Sequence, residues 1–527
     1  MAQNIGFVPN DKSKSGARAM TAMTLRRDSA PAIVLGSVTL ALHLAVNNGY
    51  AALSDELYFM VCGAHPAAGY VDQPPLVPLI AGLSHALFGT ALIPLRLLPA
   101  LAMAATVGLT AAFARALGGG RFAQWLAGLS ALFAGAFLVD GLLLTTDFMQ
   151  PLTWLGCSWC VIRLAETKDE RWWLAFGAIA GVSLLSKYLI VFFIVGLALG
   201  VLATPLRRSL ARPWLWFGAL LAFVISSPSF FWQAAHGWPF LELGAAAVNG
   251  KNLALTPLGF LGQQVLFVGP AAAPVWLAGL WHFSTDRERP ELRAFPIAWL
   301  VMAVLFLVLH GKAYYIVPIY PLLLAGGAVA IESWLVWPAL RGLALVFVVG
   351  IGALLAPLAL PVLPPEKYVS YARVLGIPSG AATTERHAPS PLPTHLAGMF
   401  GWREMAAKVS AVYNALPPDE RTRAVFYGRD YGEAAALGIY GPSFKGPPAI
   451  AGHNNYYLWG PGGFDGSVVI VLGDDVSPLM RNYGHKQLVG RIDSPYAQSW
   501  EAHLPIYVLR GPKEPLAKLW PQLKHYE

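Results

Sequence analysis

Residues 31–56 read PAIVLGSVTLALHLAVNNGYAALSDE, an apolar stretch that ends shortly before two acidic residues, Asp55 and Glu56. A third, Asp72, follows in GYVDQPPLVPL (69–79). A helix needs about 20 mostly apolar residues to cross a membrane, so this stretch predicts a first span followed by an exit. Three carboxylates at a membrane exit indicate a functional site there.

The composition favours a polytopic membrane protein. The chain is 56% hydrophobic and only 13% charged, with a mean hydropathy of +0.52. Its apolar runs are continuous and not alternating, which predicts helices. The net charge of +8 does not indicate nucleic-acid binding, because the Lys and Arg residues lie in short loops and at the termini and form no basic stripe.

Hydropathy predicts eleven helical spans, at residues 31–49, 92–117, 122–138, 148–165, 172–186, 188–204, 213–230, 263–282, 294–309, 316–333 and 341–360. Most positive charges fall in alternate loops, which the positive-inside rule places in the cytoplasm. We therefore expect a cytoplasmic N-terminal tail (1–30), without a cleaved signal peptide, and a transmembrane region (31–360) in the inner (plasma) membrane. Residues 361–527 are expected to be periplasmic.

The C-terminal region predicts a small soluble α/β domain joined by a proline-rich linker (361–393). Helices are expected near residues 402–415 and 431–438, and strands at 424–428, 467–473 and 506–511.

The unusual residues fall in the predicted outward loops. Besides the first three carboxylates, these loops contain Asp147, Lys187, His236, Lys312, Tyr314 and Tyr315. The predicted cytoplasmic segments between spans are short, so there is no cytoplasmic domain to bind a nucleotide-activated donor. A substrate for the outward carboxylates must therefore arrive through the lipid or from the periplasm, and a polyprenyl-phosphate sugar meets this condition.

The ordered motifs resemble the bacterial branch of the GT-C glycosyltransferases. They comprise Asp55-Glu56, VDQPPLVPLIAGL (71–83), LRLLPAL (95–101), LTTDFMQPL (144–152), LLSKYLIVFF (184–193), FWQAAHGWPF (231–240) and GKAYYIVPIYPLLLAGGAVAIE (311–332). More narrowly, residues 30–335 resemble the protein-mannosyltransferase-like and aminoarabinose-transferase-like membrane enzymes. YGEAAALGIYGP (431–442) and GHNNYYLWGP (452–461) resemble the external domain of this group.

The resemblance implies inverting transfer of a hexosyl or pentosyl group from a polyprenyl-phosphate sugar to an acceptor hydroxyl in the periplasm. The acceptor could be a glycolipid, a polysaccharide or a protein. One departure stands out: the aminoarabinose transferases tend to carry a lysine after the acidic residue where this chain has Gln73. This difference leaves the donor and acceptor type open.

The chemistry assigns roles to these residues. A hydroxyl nucleophile needs a base, for which Asp55 is the first candidate and Glu56 the second. The phosphate leaving group needs positive charge, which Lys187, Arg96 and Lys312 could supply. A divalent metal, Mg or Mn, could bridge the phosphate to Asp55 or Asp147. The predicted substrate-binding residues are Asp72, Asp147, His236, Tyr314, Tyr315, His453 and Asn454.

Each assignment has a structural alternative. Glu56 could cap a helix beginning at Ser54, and Asp72 could form a turn. Asp147 could cap the helix that follows it. The lysines could sit in turns or snorkel from the interface, and the two histidines could be structural.

Two other function classes stay open. A transporter or lipid-linked-sugar flippase would place its ionisable residues near the bilayer midplane. A non-catalytic scaffold would keep its function when Asp55 is changed.

Overall fold

The computed structural model describes residues 29–378, 385–473 and 475–527. The α-helices up to residue 359 are Ala30–Val46, Ser54–Ala64, Leu76–Phe88, Leu92–Leu95, Leu97–Ala116, Arg121–Leu132, Gly135–Leu142, Gln150–Thr167, Trp172–Ser186, Ile190–Ala203, Pro213–Ala235, Pro239–Ala246, Pro257–Val268, Ala273–Thr285, Ala294–Val308, Tyr320–Trp334 and Pro338–Ala359. Those after it are Pro365–Val374, Thr394–Ala397, Trp402–Ala415, Pro418–Arg421, Tyr431–Tyr440, Asn454–Trp459, Ser477–Asn482 and Leu516–Leu519. Shorter 3-10 or π turns are Pro205–Ala211, Ala247–Lys251, Pro270–Ala272, Pro290–Arg293, Ala313–Ile319, Gly441–Phe444 and Trp520–Leu523.

The apolar helices make the chain a multi-pass membrane protein. Within the described ranges, five helices are long and apolar enough to cross a membrane, or up to eight if each bent pair forms one span. Three shorter apolar helices accompany them. The count of eleven spans stays a prediction.

The predicted span 263–282 is not one continuous helix. Helices Pro257–Val268 and Pro270–Thr285 meet at 102°. Gly269, with φ +100°, ends the first helix in a conformation that other residues rarely adopt, and Pro270 begins the next. This Gly-Pro dipeptide is a breaker signal within a region whose hydropathy predicted a single span.

The segment 50–91, expected to be an outward loop, contains two packed helices. Ser54–Ala64 and Leu76–Phe88 cross at Gly63 and Gly82, where a Cβ on Gly63 would lie 2.4 Å from the Gly82 Cα. Only glycine permits this approach. The crossing lies at the last turn of Ser54–Ala64, and the first turn of the same helix carries Asp55 and Glu56.

The C-terminal region contains a five-stranded mixed sheet. Its strands are β1 (Ala424–Gly428), β2 (Ala449–Ala451), β3 (Val468–Leu472), β4 (Tyr483–Asp493) and β5 (His503–Pro512), in the order β2-β1-β3-β5-β4. The first three are parallel, and β5 is antiparallel to both neighbours. The three predicted strands correspond to β1, β3 and β5. β2 has only three residues, and β4 is mostly exposed, so neither carries a clear apolar signal.

The sheet domain packs directly on the membrane region. One face of the sheet buries Phe426, Ile470 and Val508 in a core shared with Leu57 and Tyr58 of helix Ser54–Ala64. The helix Tyr431–Tyr440 lies against the same helix, with Gly432 close to Ser54. The predicted linker contains the helix Pro365–Val374. This packing places C-terminal side chains beside Asp55.

Candidate functional site

A cavity of about 1600 Å³ lies between the membrane helices and the sheet domain. Most of the predicted site residues line it, namely Asp55, Asp72, Asp147, Lys187, Lys312, Tyr314, Tyr315 and His453. The helix packing thus brings together residues from five separate sequence segments and one from the C-terminal domain.

Asp55 is held by a residue of the sheet domain. The Tyr431 hydroxyl donates a hydrogen bond to Asp55 Oδ1 at 2.9 Å. Burial raises the pKa of Asp55, although this hydrogen bond and the charges of Lys251 and Lys312 oppose the rise. A carboxylate with a raised pKa is a better proton acceptor.

Asp72 is held in a similar way. The Tyr58 hydroxyl donates to Asp72 Oδ1 at 3.1 Å and accepts from the backbone N–H of Asn455 at 3.2 Å. The Asn455 side chain in turn accepts from the N–H of Val71 at 2.6 Å. Burial raises the pKa of Asp72 to about 7. The sheet domain therefore contacts both acidic segments of residues 50–91, which the sequence predicts to be an outward loop.

Lys187 and Asp147 form an ion pair on the cavity wall. Lys187 Nζ donates to both carboxylate oxygens of Asp147, at 2.8 and 2.7 Å. The same ammonium lies 4.8 Å from the ring centroid of Tyr315 and 5.9 Å from that of Tyr314. Lys187 ends the helix Trp172–Ser186 in an extended conformation, so it lies in a break between two apolar helices.

Lys312 pairs with Glu385, a residue of the predicted proline-rich linker. Both side chains are mostly buried. Burial alone would raise the pKa of Glu385, but the charges of Lys312 and Lys251 hold it below its ordinary value. Lys251 also lines the cavity. Three lysines thus surround one region of the cavity wall.

Glu56 and Arg96 do not line the cavity but pair with each other. The two side chains are fully buried, with Arg96 Nη2 2.7 Å from Glu56 Oε2 and Nε 2.9 Å from Oε1. Arg96 also donates to the carbonyl oxygens of Asn47 and Ala51, and Glu56 accepts from the N–H groups of Leu53 and Leu144. Each group is therefore satisfied inside the protein.

His236 and Asn454 also lie away from the cavity wall. His236 is exposed, stacks on Trp232 at 4.0 Å and bonds to its carbonyl. The Asn454 side chain bonds to the backbone of Glu527. The neighbouring His453 does face the cavity, and burial lowers its pKa well below the ordinary value, so its imidazole is neutral.

The structure adds cavity residues to which the sequence assigned no role. They include Asp140, Lys251, Glu385 and Tyr431. Tyr431 opens the motif YGEAAALGIYGP, which carried the resemblance but offered no local sign of chemistry. A single tyrosine 376 positions from Asp55 gives no spacing signal.

In the part of the chain that the structure describes, the cavity carboxylates do not form a metal site by themselves. Among the described residues, no group of three or more His, Cys, Asp or Glu side chains is arranged to hold a metal ion. Both oxygens of Asp147 already accept from Lys187. A metal at Asp55 or Asp147 stays a prediction.

The chain is similar in sequence to known glycosyltransferases. Residues 72–232 match the family described as dolichyl-phosphate-mannose-protein mannosyltransferase. The chain is 27% identical over 329 residues to the lipid A galacturonosyltransferase RgtD of Rhizobium johnstonii. That match covers 58% of this chain and 65% of the relative, so the chain spans slightly less than two thirds of that protein.

Two solved structures share the fold. ArnT from Cupriavidus metallidurans bound to undecaprenyl phosphate has a TM-score of 0.60 at 17% identity, covering 91% of this chain and 99% of ArnT. The apo form of ArnT has a TM-score of 0.58 at 19% identity, covering 94% and 100%. The resemblance predicted from sequence is confirmed, and the chain has the GT-C glycosyltransferase fold in its ArnT-like form.

Proposed function

We propose that this protein is an inverting membrane glycosyltransferase that moves a sugar from a polyprenyl-phosphate donor to an acceptor hydroxyl. One observation carries the proposal: a partly buried carboxylate, Asp55, lines the same cavity as Lys187, Lys251 and Lys312. This combination suits a reaction with a neutral hydroxyl nucleophile and an anionic leaving group. The matches to a mannosyltransferase family, to RgtD and to ArnT support the same reaction class.

Asp55 is proposed to act as the general base. The acceptor oxygen forms a bond to the anomeric carbon while its proton passes to Asp55. A hydroxyl is too weak an acid to lose this proton unaided near neutral pH. The raised pKa of Asp55 makes its carboxylate a stronger base, which favours transfer of the hydroxyl proton to it.

The lysines are proposed to stabilise the leaving phosphate. As the bond from the anomeric carbon to the phosphate oxygen breaks, its electrons stay on the phosphate, which gains negative charge and needs no proton. Lys187 and Lys312 present ammonium groups to the cavity, each now balanced by a carboxylate. Positive charge placed in advance where negative charge develops lowers the barrier. Arg96 is not included in this group because it forms a buried ion pair with Glu56 and does not line the cavity.

The cellular setting is proposed from the charge pattern. The positive-inside rule places the cavity on the periplasmic side of the inner membrane, with a cytoplasmic N-terminus. Because RgtD acts on lipid A, a glycolipid hydroxyl is the first acceptor to test, before polysaccharide and protein hydroxyls.

The test is an assay of the purified protein in lipid nanodiscs with a panel of radiolabelled polyprenyl-phosphate sugars and membrane acceptors. We expect label to move to an acceptor and free polyprenyl phosphate to appear in equal amount. Movement of the donor across vesicle membranes without its cleavage would favour a flippase instead. Repeating the assay with EDTA tests metal dependence.

Lys187→Met is expected to lower kcat/KM for the donor by about 10- to 100-fold, because a hydrogen bond to a charged group contributes about 1.5–3 kcal/mol. This kcat/KM is measured in the same assay. Lys168→Met, which removes an exposed lysine paired with Glu291, is the control. Since the single change leaves Asp147 unpaired, Lys187→Met with Asp147→Asn is measured beside it. An unchanged kcat/KM in both would remove Lys187 from the phosphate site.

The rate is expected to fall as the pH is lowered through the raised pKa of Asp55, because the protonated carboxyl cannot accept a proton. The acid limb of kcat/KM should therefore lie above the ordinary aspartate pKa of about 3.9. Glu385→Gln removes a negative charge that raises the pKa of Asp55, which shifts this limb to lower pH. A profile that stays flat down to the ordinary aspartate range would contradict the assignment.

A further inference from the structure

We infer that Tyr431, a residue of the C-terminal sheet domain, is a positioning residue for the catalytic carboxylate, fixing Asp55 by donating its phenolic hydrogen to Oδ1. The kinetic part of this inference rests on the proposed function. Its structural part rests on contacts between two regions of the chain that are far apart in sequence.

Asp55 needs an external partner to hold its orientation. It sits in the first turn of helix Ser54–Ala64, and its side chain faces the cavity. The hydrogen bond from Tyr431 at 2.9 Å engages Oδ1 and leaves the carboxylate one oxygen to receive a proton. A base held at one oxygen presents the other in a fixed direction, which proton transfer requires.

Tyr431 is itself held from several sides. Its ring lies 4.6 Å from the ring of Tyr58 and 4.8 Å from that of His453. Its backbone N–H donates to His453 Nδ1 at 3.2 Å. The phenol is therefore aimed by packing and hydrogen bonding and is not free to rotate away.

The start of the Tyr431 helix is also rigid. The Asp430 side chain caps the helix by accepting from the N–H of Glu433 at 2.9 Å. Arg429 pairs with Glu433 at 2.8 Å and with Glu501 at 3.1 Å. These bonds tie the first turn to the sheet domain, so the position of Tyr431 follows the docking of the whole domain.

Other charges face Asp55 but do not hold it. They come from four different segments of the chain and are Lys251, Lys312, Glu385 and Asp72. They act on Asp55 through long-range electrostatic interaction and not through hydrogen bonds. Tyr431 is the hydrogen-bonding side chain at Asp55 among the described residues.

Tyr431 is distinct from the parallel contact at Asp72. Tyr58 belongs to the same helix as Asp55 and donates to Asp72, whereas Tyr431 reaches across from the other domain. The rings of Tyr58 and Tyr431 pack on each other. Each carboxylate therefore has a separate phenol donor, Tyr58 for Asp72 and Tyr431 for Asp55. Asp55 thus depends on the docked domain directly, and Asp72 depends on it through Asn455.

The test compares Tyr431→Phe with Tyr440→Phe, which removes a hydroxyl from the other end of the same helix, away from the cavity. We expect Tyr431→Phe to lower kcat by about tenfold, the loss of one charge-assisted hydrogen bond, with donor KM and Tm unchanged. Tyr440→Phe should match the wild type. Wild-type kcat in Tyr431→Phe would overturn the inference, as would kcat, KM and Tm all changing together.

A second measurement needs no transfer activity. Carbodiimide labelling of carboxyl groups, read by mass spectrometry, should label Asp55 faster in Tyr431→Phe than in wild type, because the freed Oδ1 loses its donor. Asp147, held by Lys187, should label equally in both. Equal labelling of Asp55 would overturn the inference even if the wild type transferred no sugar, a result that would count separately against the proposed function.

Discussion

Asp55→Asn is expected to lower sugar transfer by about 10²- to 10⁴-fold, the usual contribution of a positioned general base. An amide at this position keeps the size and shape of the side chain but cannot take the proton of the acceptor hydroxyl. The hydrogen bond from the Tyr431 hydroxyl can still reach the amide oxygen, so the local packing should persist. Donor KM should therefore change little.

The measurement is the initial rate of transfer in nanodiscs, with donor binding and Tm recorded for each variant. Asp493→Asn is the matched control, since it removes an exposed carboxylate of β4 that does not line the cavity. Transfer that survives in Asp55→Asn would move the base to another cavity carboxylate, Asp72 or Asp147. Loss of donor binding together with activity would indicate a structural role.

Glu56→Ala is expected to destabilise the fold by about 3–5 kcal/mol, because it leaves the Arg96 guanidinium buried without its counter-ion. The same change leaves the N–H groups of Leu53 and Leu144 without their hydrogen-bond acceptor. The measurement is the unfolding temperature in detergent, followed by transfer activity of the folded fraction.

A double variant separates structure from catalysis here. Glu56→Met with Arg96→Met removes both charges, so it should be more stable than Glu56→Ala alone. If Glu56→Ala instead kept the wild-type Tm and lost transfer, Glu56 would be a catalytic residue, as the second candidate from the sequence. The wild-type arrangement, fully buried and away from the cavity, favours the structural outcome.

The membrane class and several elements could be predicted because they depend on local pattern. The apolar runs, the helix at 402–415 and the buried strands β1 and β3 each carry a continuous signal within one short window. The central strands are covered on both faces, so they appear as unbroken apolar runs. The bend at Gly269 and the exposed strand β4 were missed, since the average hydropathy of a window records neither.

Part of the candidate site could also be predicted. Charges placed at the ends of apolar runs must lie near a membrane face, and Asp55, Asp72, Asp147, Lys187 and Lys312 do line one cavity. What hydropathy could not separate was a charge that faces the cavity from one that pairs inside the protein. Asp55 and Glu56 are adjacent, yet a helical step of about 100° turns them in different directions.

The sequence by itself determined a multi-pass helical membrane protein with acidic and basic residues gathered at the helix ends, because hydropathy and charge are properties of each segment alone. The tertiary structure alone decided which charges are paired inside the protein and which face the cavity. Arg96 meets Glu56 across 40 positions and Tyr431 meets Asp55 across 376. Such contacts arise from helix crossings and domain docking, where burial forces each polar group to find a partner that no local pattern specifies.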